Sequence, residues 1–324
     1  MSKVLSVFGA TGVQGGALIT YVLNDPALSQ KYTIRAITRD TTSERAKKLK
    51  DVVEVVEGDV LNRSSLETAL TGTHTIFAMT IPSFGPDGVG VEYNSGKNIA
   101  DVAVEKGVQY IIWSTLPHVG DISGGKYAKV TPFDAKTEVQ RYIRGLNIKS
   151  AFYSPGSFMQ NFHIQAFLAP KEAADGTWVM SRLNSPDLRR FPLIDAVADT
   201  GKFVGAILAE PDKYEGKTFC AAQAFYSLNE ICALLSKSSG KNIVYKQISV
   251  EQFKKGLPFG DDPVSVDMVE ISGEGFSYYE EFGYWGPNSE ELVTWAAKNS
   301  TGTLTSFEEY LKKHPYHLPL IVST

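Results

Sequence analysis

Short apolar runs alternate with helical patterns from the start of the chain to about Tyr153, and no other feature restricts the fold as much. The runs are Val4–Phe8, Tyr32–Thr38, Val52–Val56, Thr75–Met79, Val108–Ser114 and Ile148–Tyr153. After the first run, Ala17, Leu18, Tyr21 and Val22 share one helical face, and the pattern stops at Asn24-Asp25-Pro26 because proline disfavours helix in the residue before it. Ser64-x-x-Glu67 reads as a capping box opening a short helix. A longer helical pattern runs from about Glu92 to Lys106, and another from Pro132 to Gly145, with proline tolerated in its first turn and glycine at its end. Strands separated by crossover helices can only join in parallel, with helices covering both faces. The expectation for residues 1–153 is therefore an α/β, doubly wound parallel sheet.

From Ser154 onward the alternation loosens, glycine and proline become frequent, and Asp261-Asp262-Pro263 interrupts the pattern again. Capping boxes at Ser227-x-x-Glu230 and Ser306-x-x-Glu309 still open helices. Phe191–Ile194, Lys217–Phe219 and Ile243–Tyr245 are strand candidates. Residues 154–324 read as a smaller, mixed α/β substrate or partner region, with the chain crossing back into the first domain rather than passing one linker.

With 43% apolar and 21% charged residues, the 324-residue chain can build a packed core, and wholesale disorder is excluded. A net charge of -4 supplies no excess of cations to bind phosphate backbones or anionic lipid, so direct nucleic-acid and membrane partners are not expected. Residues 1–9 reach glycine before a secretory apolar region could be completed, and no run of ~20 apolar residues spans a bilayer. Cys220 and Cys232 form no metal-ligand or CxxC spacing and read as buried small hydrophobes. Two cysteines in a chain of this length point to a reducing compartment, the cytoplasm or also the nucleus. No His/Asp/Glu cluster at ligand spacing supports a metal-dependent hydrolase.

The turn Gly9-Ala10-Thr11-Gly12-Val13-Gln14-Gly15-Gly16 sits where the first strand becomes the first helix. Gly9 permits a tight turn, Gly12 lets the backbone approach a pyrophosphate, and Gly15 lets helix and strand pack closely. The free amides and positive end of the helix then face the anion. The spacing is GxxGxxG rather than GxGxxG, and the strand and helix on either side are what give it weight. This makes the sheet Rossmann-type, with a dinucleotide as cofactor. At the end of the second strand stands Thr38-Arg39-Asp40, followed by Arg45, Lys47 and Lys48. Arginine there can pair with a 2′-phosphate, which favours NADP(H), whereas an acid would bond the ribose 2′-hydroxyl of NAD. The competing reading has Arg39 solvated and Asp40 on the ribose.

The glycine turn, Thr38-Arg39-Asp40, Gly58-Asp59, Phe133-Asp134-Ala135-Lys136 and Pro155-Gly156-Ser157-Phe158-Met159-Gln160-Asn161-Phe162 together resemble the NmrA-like family of atypical short-chain dehydrogenases. Asp199-Thr200-Gly201-Lys202-Phe203-Val204 and Tyr214-Glu215-Gly216-Lys217 resemble its second half, so the likeness runs from Val4 to at least Tyr245. It implies a Rossmann domain binding NADP(H), a small C-terminal domain and a cleft between them. Some members reduce quinones, enones or similar acceptors. Others are redox sensors without turnover that bind regulatory proteins such as GATA-type transcription factors. Carried over by position, the resemblance implies that Thr11, Gly12, Val13 and Gln14 wrap the pyrophosphate and Arg39 meets the 2′-phosphate. It sets Asp59 and Val60 beside the adenine and Thr80 by the nicotinamide-side ribose. Lys136 would bond that ribose, with Pro155, Phe158 and Asn161 near the nicotinamide.

A short-chain dehydrogenase usually has a tyrosine four residues before this lysine to donate the proton, and here that residue is Pro132. Ser114 and Thr115 close the fifth strand, where the serine of the usual triad would lie, and Tyr127 and His118 are further proton-donor candidates. If the acceptor is a quinone or conjugated enone, water can protonate the product and positioning supplies most of the acceleration. The aromatic group Tyr278-Tyr279, Phe282 and Tyr284-Trp285 is a candidate pocket lining or core. Two functions follow: an NADPH-dependent oxidoreductase acting on a small hydrophobic acceptor, or an NADP(H)-binding redox sensor and transcriptional regulator that acts through a regulatory protein.

Overall fold

The computed structural model describes residues 2–318 except 86, 166 and 168. Six parallel strands form the frame expected from the apolar runs: β1 (Lys3–Val7), β2 (Tyr32–Thr38), β3 (Glu54–Glu57), β4 (Thr75–Ala78), β5 (Tyr110–Ser114) and β6 (Lys149–Pro155). A seventh strand, Thr218–Ala221, joins the edge beside β6 after the chain has crossed the second half, giving the order Thr218–Ala221, β6, β5, β4, β1, β2, β3. Every pairing in this sheet is parallel. Chain order reverses between β1 and β4, and the crevice beyond the carboxyl ends at such a reversal is where open α/β sheets bind ligands.

Strand alternation divides the core. Leu5, Val7, Phe77, Ile112 and Tyr153 bury on one face, and Ile76, Ile111, Trp113 and Phe152 on the other. The helices Val13–Asn24 and Ala196–Ala209 cover the first face together. The helices Gly88–Glu105 and Thr131–Arg144 cover the second, and Gly96 sets how near they lie. A Cβ on Gly96 would stand 2.6 Å from Val139 and 2.9 Å from Trp113, so only glycine permits this approach.

Beyond the sheet, two three-stranded sheets complete the fold. One joins Ser157–Phe158, Phe191–Ile194 and Ala224–Tyr226; the other joins Lys171–Glu172, Trp178–Arg182 and Ile243–Gln247. The helices Leu228–Ser239, Pro263–Phe282 and Phe307–Lys313 belong to this part. Ser227 and Ser306 make the expected capping boxes.

Three local expectations are corrected. Ser64 lies inside its helix, because Asn62 is the cap and its side chain accepts from Ser65 N at 3.2 Å. The third strand starts at Glu54, since the Val52 and Val53 amides both donate to Leu49 O and close the preceding helix instead. Asp261-Asp262-Pro263 begins an element rather than breaking one: Asp262 accepts from the Val264 and Ser265 amides and caps the 20-residue helix Pro263–Phe282. Proline in the first turn has no amide to leave unsatisfied.

Candidate active site

At the carboxyl end of β1, Gly9 adopts φ +62°, in the left-handed region that glycine enters without strain. A Cβ on Gly15 would stand 2.3 Å from the Gly9 carbonyl oxygen, so the helix start is pressed against the turn as only glycine allows. Gly12 caps the helix Val13–Asn24 without a side-chain hydrogen bond. Its first-turn amides therefore have no intrahelical acceptor and no capping oxygen, which suits an anion. Gln14 is buried, and Ser114 Oγ at the end of β5 donates to its Oε1 at 2.7 Å, linking the turn to the neighbouring strand ends.

The end of β2 separates the two readings of Thr38-Arg39-Asp40. Asp40 Oδ1 accepts from Thr42 N at 2.8 Å and Thr42 Oγ1 at 2.6 Å, a local turn that occupies the carboxylate. Arg39 is exposed and makes no hydrogen bond or ion pair among the described residues. Arg45 Nη1 reaches Thr11 O at 3.3 Å, bringing a second cation to the glycine turn. After β3, Asp59 Oδ1 accepts from Leu61 N at 3.0 Å, and Val60 packs on the core while its carbonyl accepts from Asn98 Nδ2.

Lys136 lies on the buried stripe of its helix, with Pro132, Ala135, Val139 and Ile143. It is 7% exposed, and its ammonium donates to Thr80 O at 3.0 Å, to Thr80 Oγ1 at 3.3 Å and to Glu92 Oε1. Thr80 Oγ1 also donates to Glu92 Oε1 at 2.7 Å. Glu92 is 1% exposed, and its Oε2 has no partner among the described residues. Burial lowers the pKa of Lys136, against the opposing pull of the Glu92 carboxylate. The backbone is held too: Lys136 O accepts from Trp113 Nε1 at 3.0 Å and from Thr115 Oγ1 at 3.3 Å.

This cluster borders a cavity of about 450 Å³ that Gln14, Thr80, Thr115, Pro155, Phe158 and Asn161 also line. The opposite wall comes from the second half, through Met180, Arg182, Phe191, Leu228, Phe276 and Tyr279. Tyr284 lines it as well and donates to Pro155 O at 3.1 Å. Tyr278 and Phe282 instead pack with Tyr127, and Trp285 packs near Cys220, so the aromatic group divides between cavity and core. Both cysteines are buried and free, with their thiols pushed up to about 12 by burial.

His118 and Tyr127 do not reach the cavity. His118 Nδ1 accepts from Asp121 N at 3.0 Å, which leaves the proton on Nε2, 3.0 Å from Glu138 Oε1. Tyr127 donates to Glu281 Oε2 at 2.9 Å on the far side of its helix contacts. Sequence reasoning missed Glu92 and Arg182 as members of the site. The signal for Glu92 was its place on the stripe with Ser95, Gly96, Ile99 and Ala103, which is otherwise small or apolar. For Arg182 the signal was strand alternation after Trp178 and Met180.

A parallel sheet whose first strand turns through glycines into an uncapped helix, beside a cleft at the strand-order reversal, belongs to the Rossmann-type nucleotide-binding class. The chain belongs to the NmrA-like family, whose model matches residues 1–311. It is 28% identical over 302 residues to an NmrA-like family domain-containing oxidoreductase of Aspergillus campestris, covering 82% of this chain and 88% of the relative. Among solved structures it resembles NmrA, a negative transcriptional regulator, in complex with NADP, with TM-score 0.78, 24% identity and coverage of 97% and 95%. It also resembles an NADPH-dependent quinone oxidoreductase from Escherichia coli in complex with NADPH, with TM-score 0.70, 22% identity and coverage of 96% and 99%. These structural likenesses establish the fold. Among the described residues no helix is long and apolar enough to cross a membrane, and no group of three or more His, Cys, Asp or Glu could hold a metal ion.

Proposed function

We propose that the chain is an NADPH-dependent oxidoreductase that reduces a flat, conjugated acceptor such as a quinone or enone. The observation that carries the reading is the buried Lys136–Thr80–Glu92 cluster, set beside the glycine turn and opening on an aromatic cavity. The residues fit the cofactor. The uncapped helix start suits the pyrophosphate, Arg39 is unengaged for a 2′-phosphate, and Thr80 and Lys136 border the cavity on the side where a ribose would lie. Thr11, Gly12, Val13 and Gln14 would hold the pyrophosphate, Asp59 and Val60 the adenine side, and Thr80 and Lys136 the nicotinamide-side ribose. Bound there, the reduced nicotinamide supplies a hydride, and together with one proton the acceptor gains two electrons.

The protein's part is orientation. Lys136, fixed through its backbone by Trp113 and Thr115, holds the ribose side, while Pro155, Phe158 and Asn161 line the space where donor and acceptor meet. No tyrosine takes the place of Pro132, Tyr127 and His118 are bonded elsewhere, and the Tyr284 hydroxyl of the cavity wall is engaged by Pro155 O; on this reading water supplies the proton. A quinone or enone tolerates this because the charge left by hydride addition is delocalised onto an oxygen, where water can deliver the proton. The names of the Aspergillus campestris and Escherichia coli relatives support the reading.

A second reading is a cofactor-dependent regulator, favoured by that same missing proton donor and by the likeness to NmrA. The two separate on NADPH oxidation by Lys136→Met. An enzyme loses its acceptor-dependent rate at least ~100-fold; a regulator has no such rate to lose and releases a protein partner on NADPH addition.

A further inference from the structure

We infer that the acceptor carries a carboxylate and that the Arg182 guanidinium receives it; this names the substrate class for the hydride-transfer reading above and rests on that reading. Arg182 ends the strand Trp178–Arg182, where Trp178, Met180 and Arg182 turn to the buried face and Val179 and Ser181 to the other. Met180 and Arg182 both line the 450 Å³ cavity. The side chain is 4% exposed, its Nη1 donates only to the adjacent Ser181 O at 2.7 Å, and its Nη2 has no partner among the described residues.

No carboxylate among the described residues lies within 4 Å of it. The titratable groups near enough to act on its charge are Tyr245, Cys232 and Tyr316, and burial raises the pKa of each, so all three are neutral at pH 7. The guanidinium is pushed down to about 10 by burial and still holds its charge at pH 7. A buried cation without a counter-ion is strongly unfavourable, and an apolar residue of similar volume would pack there better. A ligand that brings the missing anion removes the penalty. Nη2, left without a partner, and Nε on the same edge of the guanidinium form the donor pair that a planar carboxylate matches, and Phe162, Leu228, Ile231 and Phe276 give the cavity an apolar lining. Phe158, Phe191 and Tyr279 provide flat apolar walls for the rest of the molecule.

The test is calorimetric titration of the NADP⁺-saturated protein with 2-naphthoate and with its neutral isostere 2-naphthamide. The expected result is at least ~10-fold tighter binding of the carboxylate, a preference that falls to within ~2-fold in Arg182→Met. Arg182→Lys keeps the charge, loses the fork and retains only part of the preference; it serves should the Met variant fail to fold. Equal affinities in the wild type, a preference that survives in Arg182→Met, or no binding of naphthoate at about 5 mM would overturn the inference. Discrimination for naphthoate without NADPH oxidation by any quinone would sustain the anion site and overturn the hydride-transfer reading instead.

Discussion

The two walls of the cleft each bury one cation, and they treat it in opposite ways. On the sheet side, Lys136 meets Glu92 and both oxygens of Thr80, so its charge is answered from within the fold. On the wall built by the second half, Arg182 has a backbone carbonyl and no acid. A paired buried charge belongs to the scaffold as well as to the site, and removing one partner strands the other. An unpaired buried charge lowers stability and finds its use in binding. On the proposed function, the sheet side would hold one constant cofactor and the far wall would discriminate among acceptors.

Breaking the paired cation should have the largest effect. Lys136→Met leaves the Glu92 carboxylate buried without its cation, with only the Thr80 hydroxyl still donating to it, and a loss of about 3–5 kcal/mol in unfolding free energy is expected by chemical denaturation. Adding Glu92→Gln should recover part of it, with a coupling energy of about 1–3 kcal/mol across the double-mutant cycle. A purely additive cycle would mean that the pair does not act as a unit.

Arg182→Met sharpens the contrast because its sign is reversed. Thermal denaturation without ligand should give a melting temperature equal to or above the wild type, corresponding to a gain of up to about 2 kcal/mol. A clear fall would show that Arg182 supports the fold.

Two smaller effects test the edges of the site. Arg39→Ala should lower the preference for NADPH over NADH about 10-fold in binding, since Asp40 stays occupied by Thr42 and cannot take over the ribose. Tyr127→Phe should change the rate of NADPH oxidation less than ~2-fold, because its hydroxyl is bonded to Glu281 outside the cavity.

The same division of walls governs how much the sequence reveals. The sheet side is built from local patterns, in which apolar runs, proline stops and a glycine turn each carry their meaning within a few residues. All six strands are found there, Tyr32–Thr38 with the ends expected and the other five with shifted ends, and Gln14, Thr80, Lys136, Pro155, Phe158 and Asn161 meet at one cavity. The far wall depends on long-range pairing. The strands Trp178–Arg182 and Ile243–Gln247 are short, and they pair across more than 60 intervening positions, which no local window registers. Glu92 fell between the two cases. Its helix was legible, but its role arises only because Gly96 lets that helix close on Lys136's own. His118 and Tyr127 looked available because nothing in the sequence announces Glu138 or Glu281 as their partners.

NADPH oxidation against a panel of quinones and enones, some bearing a carboxylate, with NADH measured alongside, tests the hydride-transfer reading at its root. The expected result is saturable turnover with NADPH, little with NADH, and the highest kcat/KM for the carboxylated acceptors. An absence of turnover with every acceptor, while NADPH still binds and raises the melting temperature, would contradict it and leave the cofactor-dependent regulator in its place.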